Sequence, residues 1–190
     1  MIAIQIVRDS APFPEKERIN KNQVNFYFDH SERPYGESTQ YMAVVVTVDT
    51  KSNNLAQIKA LALPAIKEYR ISQIGDYDKS SNVNDLIYQG KHMWFDKVTR
   101  TTISYSMECE KRAGASTTVL IAPDGEQYVL PIDDALGMFA QLELYAKRCF
   151  NVTEGHKKAV ENIENADDAI AYDFKAGYPE PINFDEINNN

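Results

Sequence analysis

Three histidines, His30, His92 and His156, are the first residues to weigh for chemistry, since an imidazole can ligate a metal or carry a proton near neutral pH. None is followed by a second histidine or cysteine at the three- or four-residue spacing of a metal site. Ser116, in the run Gly114-Ala-Ser-Thr117, lacks the glycine-flanked elbow that activates a hydrolase serine. Neither Cys109 nor Cys149 has a histidine beside it, so nucleophilic catalysis has no support. With 8 glycines, none in a phosphate-cradling pattern, nucleotide loops are absent as well. Asp167-Asp168 could be half of a metal or acid/base pair, and Asp167 with Asp173 would be the carboxylates of a glycan-cleaving enzyme. A helix N-terminus within a solvated acidic face explains them more simply. The cluster Lys97, Arg100, Lys111 and Arg112 reads as a solvated helix surface rather than a phosphate patch. The expectation is a protein without catalytic, cofactor-binding or metal-binding residues, and therefore not an enzyme.

Aromatic residues offer another kind of chemistry, that of contact. Phe26, Tyr27 and Phe28 are consecutive and cannot all face one side of a strand, so at least one is exposed or covered by a partner. Tyr172, Phe174, Tyr178 and Phe184 decorate a tail otherwise rich in Asp, Gly, Pro and Asn. Either they fold back onto a helical core, or they form an apolar edge for protein-protein contact. Phe26, Phe28, Tyr172, Phe174, Tyr178 and Phe184 are therefore the interface candidates.

The elements that must position these residues follow from pattern. Ile2, Ile4 and Ile6 alternate with neighbours of a first strand, and Asn25 to Asp29 and Tyr41 to Asp49 are aromatic and β-branched runs of strand length. The prolines of the intervening APFPEKE and HSERPYGES mark loops, leaving a three-stranded sheet whose apolar face needs a cover. A shift in composition at Lys51 to Asn54 separates this N-terminal β module, residues 1–52, from a helix-rich region with β-hairpins, residues 53–184. Asn53 or Asn54 caps a helix with Leu55, Ile58, Ala62, Ala65, Ile66 and Tyr69 on one face, which Pro64 kinks or divides and which ends near Gly75. Asp76 to Asn84 reads as an exposed connector. Leu86 to Gln89 and His92 to Phe95 form a strand and its return around Gly90-Lys91, and Asp96 caps a helix from Lys97 to Arg112 that buries Val98, Ile103, Met107 and Cys109. Thr117 to Ala122 and Gln127 to Leu130 flank Pro123-Asp-Gly-Glu126, a strong hairpin signal. Asp133 or Asp134 then starts a helix through Cys149, Asn151 to Thr153 interrupts it, and a short helix continues to about Ile163. Ala166 to Tyr172 adds a last turn or two, and residues 185–190 read as a disordered tail. The fold class is α+β.

Composition sets the wider bounds. A chain of 190 residues that is 43% hydrophobic can bury a core. Its net charge of -8 opposes nucleic-acid and anionic-membrane partners. Nine carboxylates against three lysines after Thr153 place most of that charge in the last 37 residues. The two cysteines suit no disulfide framework and favour a reducing compartment. The opening residues lack the apolar run of a signal peptide, and no segment approaches the ~20 apolar residues needed to cross a bilayer.

From about Lys59 to Phe184, roughly two thirds of the chain, the sequence resembles a domain of unknown function carried by phage and prophage proteins of gut bacteria, commonly described as tail or tail-fibre-associated. The pattern runs through Ile58-Lys59, Gly90-Lys91, Met93 to Lys97, Thr99-Arg100, Thr117-Thr118 and Leu130-Pro131. It continues through Ala140 to Tyr145, Cys149 to Thr153, His156 to Ala159, Tyr172 to Phe174 and Gly177 to Pro179. The resemblance carries no catalytic residues. It implies a virion structural protein, made in the bacterial host cytoplasm, that contacts fibre, tail or capsid proteins and forms homo-oligomers, with no cofactor and no small-molecule substrate. A tail-fibre assembly chaperone that leaves the particle is the alternative. The first fifty residues fall outside the pattern and vary in relatives, as an attachment module would.

Overall fold

The computed structural model describes residues 4–122 and 124–187. Ile2, Pro123 and Asn188 to Asn190, read above as strand, turn and disordered end, lie outside the described residues. The chain forms β1 (Ile4–Asp9), β2 (Lys16–Asn20), β3 (Gln23–Tyr35), β4 (Ser38–Asp49), α1 (Leu55–Asp78), β5 (Asp85–Tyr88) and β6 (Lys91–Trp94). There follow α2 (Lys97–Arg112), β7 (Thr117–Ile121), β8 (Gln127–Pro131), α3 (Ile132–Glu161), α4 (Ala166–Ala171), β9 (Ile182–Asn183) and α5 (Phe184–Ile187). The class is α+β, as the pattern implies. Two compact units divide it: residues 1–74 with 156–174, and residues 75–155 with 175–190. The boundary drawn at 52/53 therefore falls inside the first unit.

In the first unit the sheet is antiparallel in the order β1-β4-β3-β2, four strands rather than three. The strand missed by pattern is β2, largely polar and exposed, so it has no apolar alternation to announce it. Arg18 ties it down, donating from Nε to Asn53 Oδ1 at 2.7 Å and from Nη2 to the Ser52 carbonyl at 2.6 Å. The segment HSERPYGES is not a loop either. Both strands continue through it to a two-residue turn at Gly36-Glu37, with Tyr35 opposite Ser38 and a positive φ at Gly36, as a type II′ turn requires. Pro34 is tolerated because β2 pairs only as far as Phe26, leaving that side of β3 without a neighbour.

One face of this sheet carries Val24, Phe26, Phe28, Val44, Val46 and Val48, packed on Ile58, Ala62, Ala65 and Ile66 of α1 and on Ala166 and Ala169 of α4. The cover that the sheet's apolar face needs comes from its own chain. Small alanines on both helices let backbone approach strand, and Pro64 sits inside α1 without dividing it. Asn54 caps that helix, accepting from the Gln57 amide at 3.2 Å. The other face is covered by Phe13, whose ring stacks on Tyr27 at 5.3 Å. The Tyr27 hydroxyl donates to Glu17 at 2.8 Å and accepts from Asn25.

Arg70 joins the sheet to α4. It is 6% exposed, and all five of its N–H donors are used. Nη1 and Nη2 hold both oxygens of Asp29, at 2.7 and 2.6 Å, and Nη1 also reaches Gln73 at 2.6 Å. Nε donates to the Ala169 carbonyl at 3.1 Å and Nη2 to that of Ile170, the last turn of α4. Asp29 reaches Arg70 from a β-bulge between Phe28 and Ser31, where its own φ is 50°.

The second unit has its own core. The strands β6-β5-β9 and the hairpin β7-β8 pack with α2, α3 and α5 around Leu86, Met93, Phe95, Leu120, Leu130, Phe139, Leu142 and Tyr145. The β5-β6 turn is Gln89-Gly90, one residue earlier than expected, with positive φ at both positions. Asp185 accepts from both turn amides, at 2.6 and 2.7 Å. Residues 185–187, read as disordered, thus form α5 and pin a turn. Asp96 caps α2, accepting from the amides of Val98 and Thr99 at 2.8 and 3.0 Å, and these bonds hold its carboxyl below the usual carboxylate range. On that helix Met107 is buried, but Val98 is 75% exposed and Cys109 is exposed. The buried position belongs to Arg100.

Asn151 to Thr153 does not break α3, which is continuous from Ile132 to Glu161. Thr153 is fully buried there, its hydroxyl 2.6 Å from Asp78 and 2.9 Å from the Tyr178 hydroxyl. A buried hydroxyl with two partners offsets the low helix propensity of threonine. The presumed connector after α1 is also partly structural: Val83 is 1% exposed, and its carbonyl accepts from the Cys149 thiol at 2.8 Å. Burial pushes that thiol's pKa up.

Arg70→Met is expected to destabilise the protein by about 3 kcal/mol, because Asp29 and two helix carbonyls lose their partner. Urea unfolding measures this, and an unchanged midpoint would show that the guanidinium does not hold α4. In the native protein one thiol, Cys109, should react with an aromatic disulfide reagent, Cys149 following only on denaturation. Two fast equivalents in buffer would contradict the burial of Cys149.

Candidate functional site

The sequence-derived interface residues divide on folding. Phe26, Phe28 and Phe184 are 1%, 3% and 2% exposed, so they are core residues and offer no surface to a partner. Phe26 and Phe28 lie at alternate positions of β3 on the face covered by α1, which is where period-two geometry sends them. Tyr172, Phe174 and Tyr178 are half-buried. The Tyr172 hydroxyl meets His156 Nδ1 at 2.7 Å, and Tyr178 packs edge-on against Tyr77 at 5.4 Å and on the second core. In the second unit the tail has folded back, the first of the two readings offered for it.

The residues weighed for chemistry are similarly occupied. His92 Nδ1 contacts Asp85, and His30 is exposed beside the bulge. Asp167 is paired with Lys59 at 2.7 Å, and that lysine also meets Glu15 at 3.0 Å. These partners raise the Lys59 pKa. Among the described residues no group of three or more His, Cys, Asp or Glu side chains could hold a metal ion, and no helix is long and apolar enough to cross a membrane.

Two surface features of the second unit went unread in the sequence. The first is the outward face of β7-β8. Alternation sends Thr118, Leu120, Tyr128 and Leu130 into the core and leaves Thr117, Val119, Ile121, Gln127, Val129 and Pro131 outside. Val119 pairs with Val129, and the three apolar side chains Val119, Ile121 and Val129 are 52%, 54% and 69% exposed. None of the six outward residues is charged. Among the described residues neither strand has a second neighbour, so both edges present unpaired backbone groups. Edge strands left to solvent normally carry charge or a covering element against such pairing. The signal was present in TTVLI and QYVLP, where both alternate sets are largely apolar and only one can enter a core.

The second feature is a groove of about 640 Å³ lined by Asp78, Lys79 and Asn84, by Trp94, Asp96, Lys97 and Arg100, and by Glu143, Ala146, Lys147 and Phe150. Arg100, expected on a solvated face, is 5% exposed and forms the floor's ionic link. Its Nε donates to Glu143 at 2.7 Å and its Nη1 to the Phe95 carbonyl at 2.6 Å. A buried arginine on a polar helix reads in sequence like any surface arginine, so only the fold reveals it.

Arg100→Ala is expected to cost about 2 kcal/mol, since the Phe95 carbonyl loses its donor. Glu143→Gln, at a half-exposed partner, should cost under about 1 kcal/mol. Thermal unfolding of the two variants checks that ordering, and equal losses would contradict it. Compared with known proteins, the chain matches no family model, no curated protein and no solved structure.

Proposed function

We propose that the chain is a non-enzymatic structural protein of a bacteriophage virion, associated with a fibre or tail and acting through protein-protein contacts. The observation that carries the contact reading is the uncharged β7-β8 face with its two open edges. An extended strand from another subunit gains main-chain hydrogen bonds at such an edge, and Val119, Ile121 and Val129 supply apolar surface beside it. In a two-fold contact each residue near the axis meets its own copy, so a charge there would face itself. A face free of charge, on a chain with net charge -8, suits self-association as well as a fibre subunit. The phage assignment is supported by the ordered sequence pattern from Lys59 to Phe184.

Particles from the lysate that contains the chain, banded on a density gradient, should hold it at a fixed multiple of a symmetric assembly's copy number. Mass spectrometry against the major capsid protein measures that ratio. Abundance in the lysate with absence from particles would overturn the virion reading and favour an assembly chaperone. Val129→Lys should leave the unfolding free energy within about 0.5 kcal/mol of wild type while abolishing oligomers in light scattering or capture of fibre protein. Unchanged association would remove the hairpin from the interface.

A further inference from the structure

We infer that the groove at Trp94 is a binding site for an anionic saccharide, one carrying carboxylate or sulfate groups on successive sugar rings. The inference is independent of the virion assignment and starts from which charges in the groove are already spent. All three carboxylates are engaged inside the fold. Asp78 accepts from the Thr153 hydroxyl, Asp96 accepts two amides and the Thr99 hydroxyl of α2, and Glu143 is paired with Arg100. Of the four cations only Arg100 is engaged. Lys79, Lys97 and Lys147 line the groove, and their ammonium groups have no hydrogen bond or ion pair among the described residues. Four cations against three carboxylates leave the lining with one net positive charge, and three lysines free to pair with a ligand, on a protein whose net charge is -8.

The form of the ligand follows from what surrounds those charges. Lys79 follows α1, Lys97 opens α2 and Lys147 lies within α3, so the charge is set around the groove by three elements rather than focused at one point. A nucleoside polyphosphate would need focused charge, from a glycine-rich loop or a metal-holding cluster. The sequence has no such loop, and the described residues have no such cluster. Trp94 and Phe150 add ring surface to the same walls, Phe150 being 53% exposed. The indole Nε1–H of Trp94 is buried and has no acceptor among the described residues. Aromatic surface bordered by flexible ammonium groups fits the apolar faces of pyranose rings and the anions projecting from their edges, and the volume is within the range of small-ligand sites.

Trp94 is the only tryptophan, so tryptophan emission reports this groove and the neighbouring cleft at His92 that the same residue lines, and the lysine variants distinguish the two. The whole chain would be titrated with a sulfated heparin disaccharide, with maltose and with sodium sulfate, following emission and calorimetric heat together. The sulfated disaccharide should bind saturably, with affinity roughly tenfold lower in Lys97→Ala/Lys147→Ala and falling as salt rises. That variant should keep the wild-type circular dichroism and unfolding midpoint. Neither heat nor emission change would overturn the site. Equal binding of maltose would overturn its anionic character, and sulfate alone binding as tightly as the disaccharide would overturn the sugar. An affinity indifferent to the double substitution would place the ligand elsewhere.

Discussion

The guanidinium of Arg70 is the interaction on which the first unit depends. A buried charge is tolerable only when its donors are spent, and here five N–H groups meet a carboxylate, an amide oxygen and two helix-end carbonyls. Each of those acceptors comes with a structural condition. The carboxylate requires the bulge at Asp29, and the bulge redirects β3 into the long arm that ends at Gly36. The carbonyls require α4 to stop where it does, which sets Ala166 and Ala169 against the sheet. The short helix has little stability of its own. Its position is fixed by packing from below and by one arginine at its C-terminal end.

Where local chemistry decides structure, the sequence was readable. Asp96 as a cap, Asn54 as a cap, the Asp124-Gly125 hairpin and the apolar stripe of α1 all appear in the structure as pattern implies. Reading failed where tertiary context overrides local preference. Pro34 lies in a strand because its side of β3 has no partner, and Thr153 stays helical because two buried oxygens await its hydroxyl. Arg70 and Arg100 look like surface residues until the acceptors around them are known. Phe26 and Phe28 look available to a partner for a related reason, since only the fold shows α1 and α4 covering them while Phe13 stacks on Tyr27 at the opposite face.

The two surface features of the second unit share an origin in incomplete compensation. On the hairpin, each strand carries more apolar residues than one core face can take, and the remainder stays in solvent without charge to shield it. In the groove, three lysines are left without a direct partner because the carboxylates beside them bond a helix cap, a hydroxyl and Arg100. Both features are surplus to folding. A property that the fold does not use is where a binding function can reside without loss of stability.

The first unit is discontinuous in sequence, its sheet and most of α1 preceding residue 75 and its last pieces following residue 155. On a translating ribosome the sheet therefore emerges with only Asp29 and Gln73 available to Arg70. The carbonyls of Ala169 and Ile170 are synthesised about a hundred residues later. Until then the apolar face lacks the two alanines of α4, and the arginine lacks two of its acceptors. The second unit waits as well, since Phe184 of its core and the strand β9 are made after α4. Completion of the first unit thus waits for residues 156–174, so a chain released before them would hold the sheet without the clamp that closes over it.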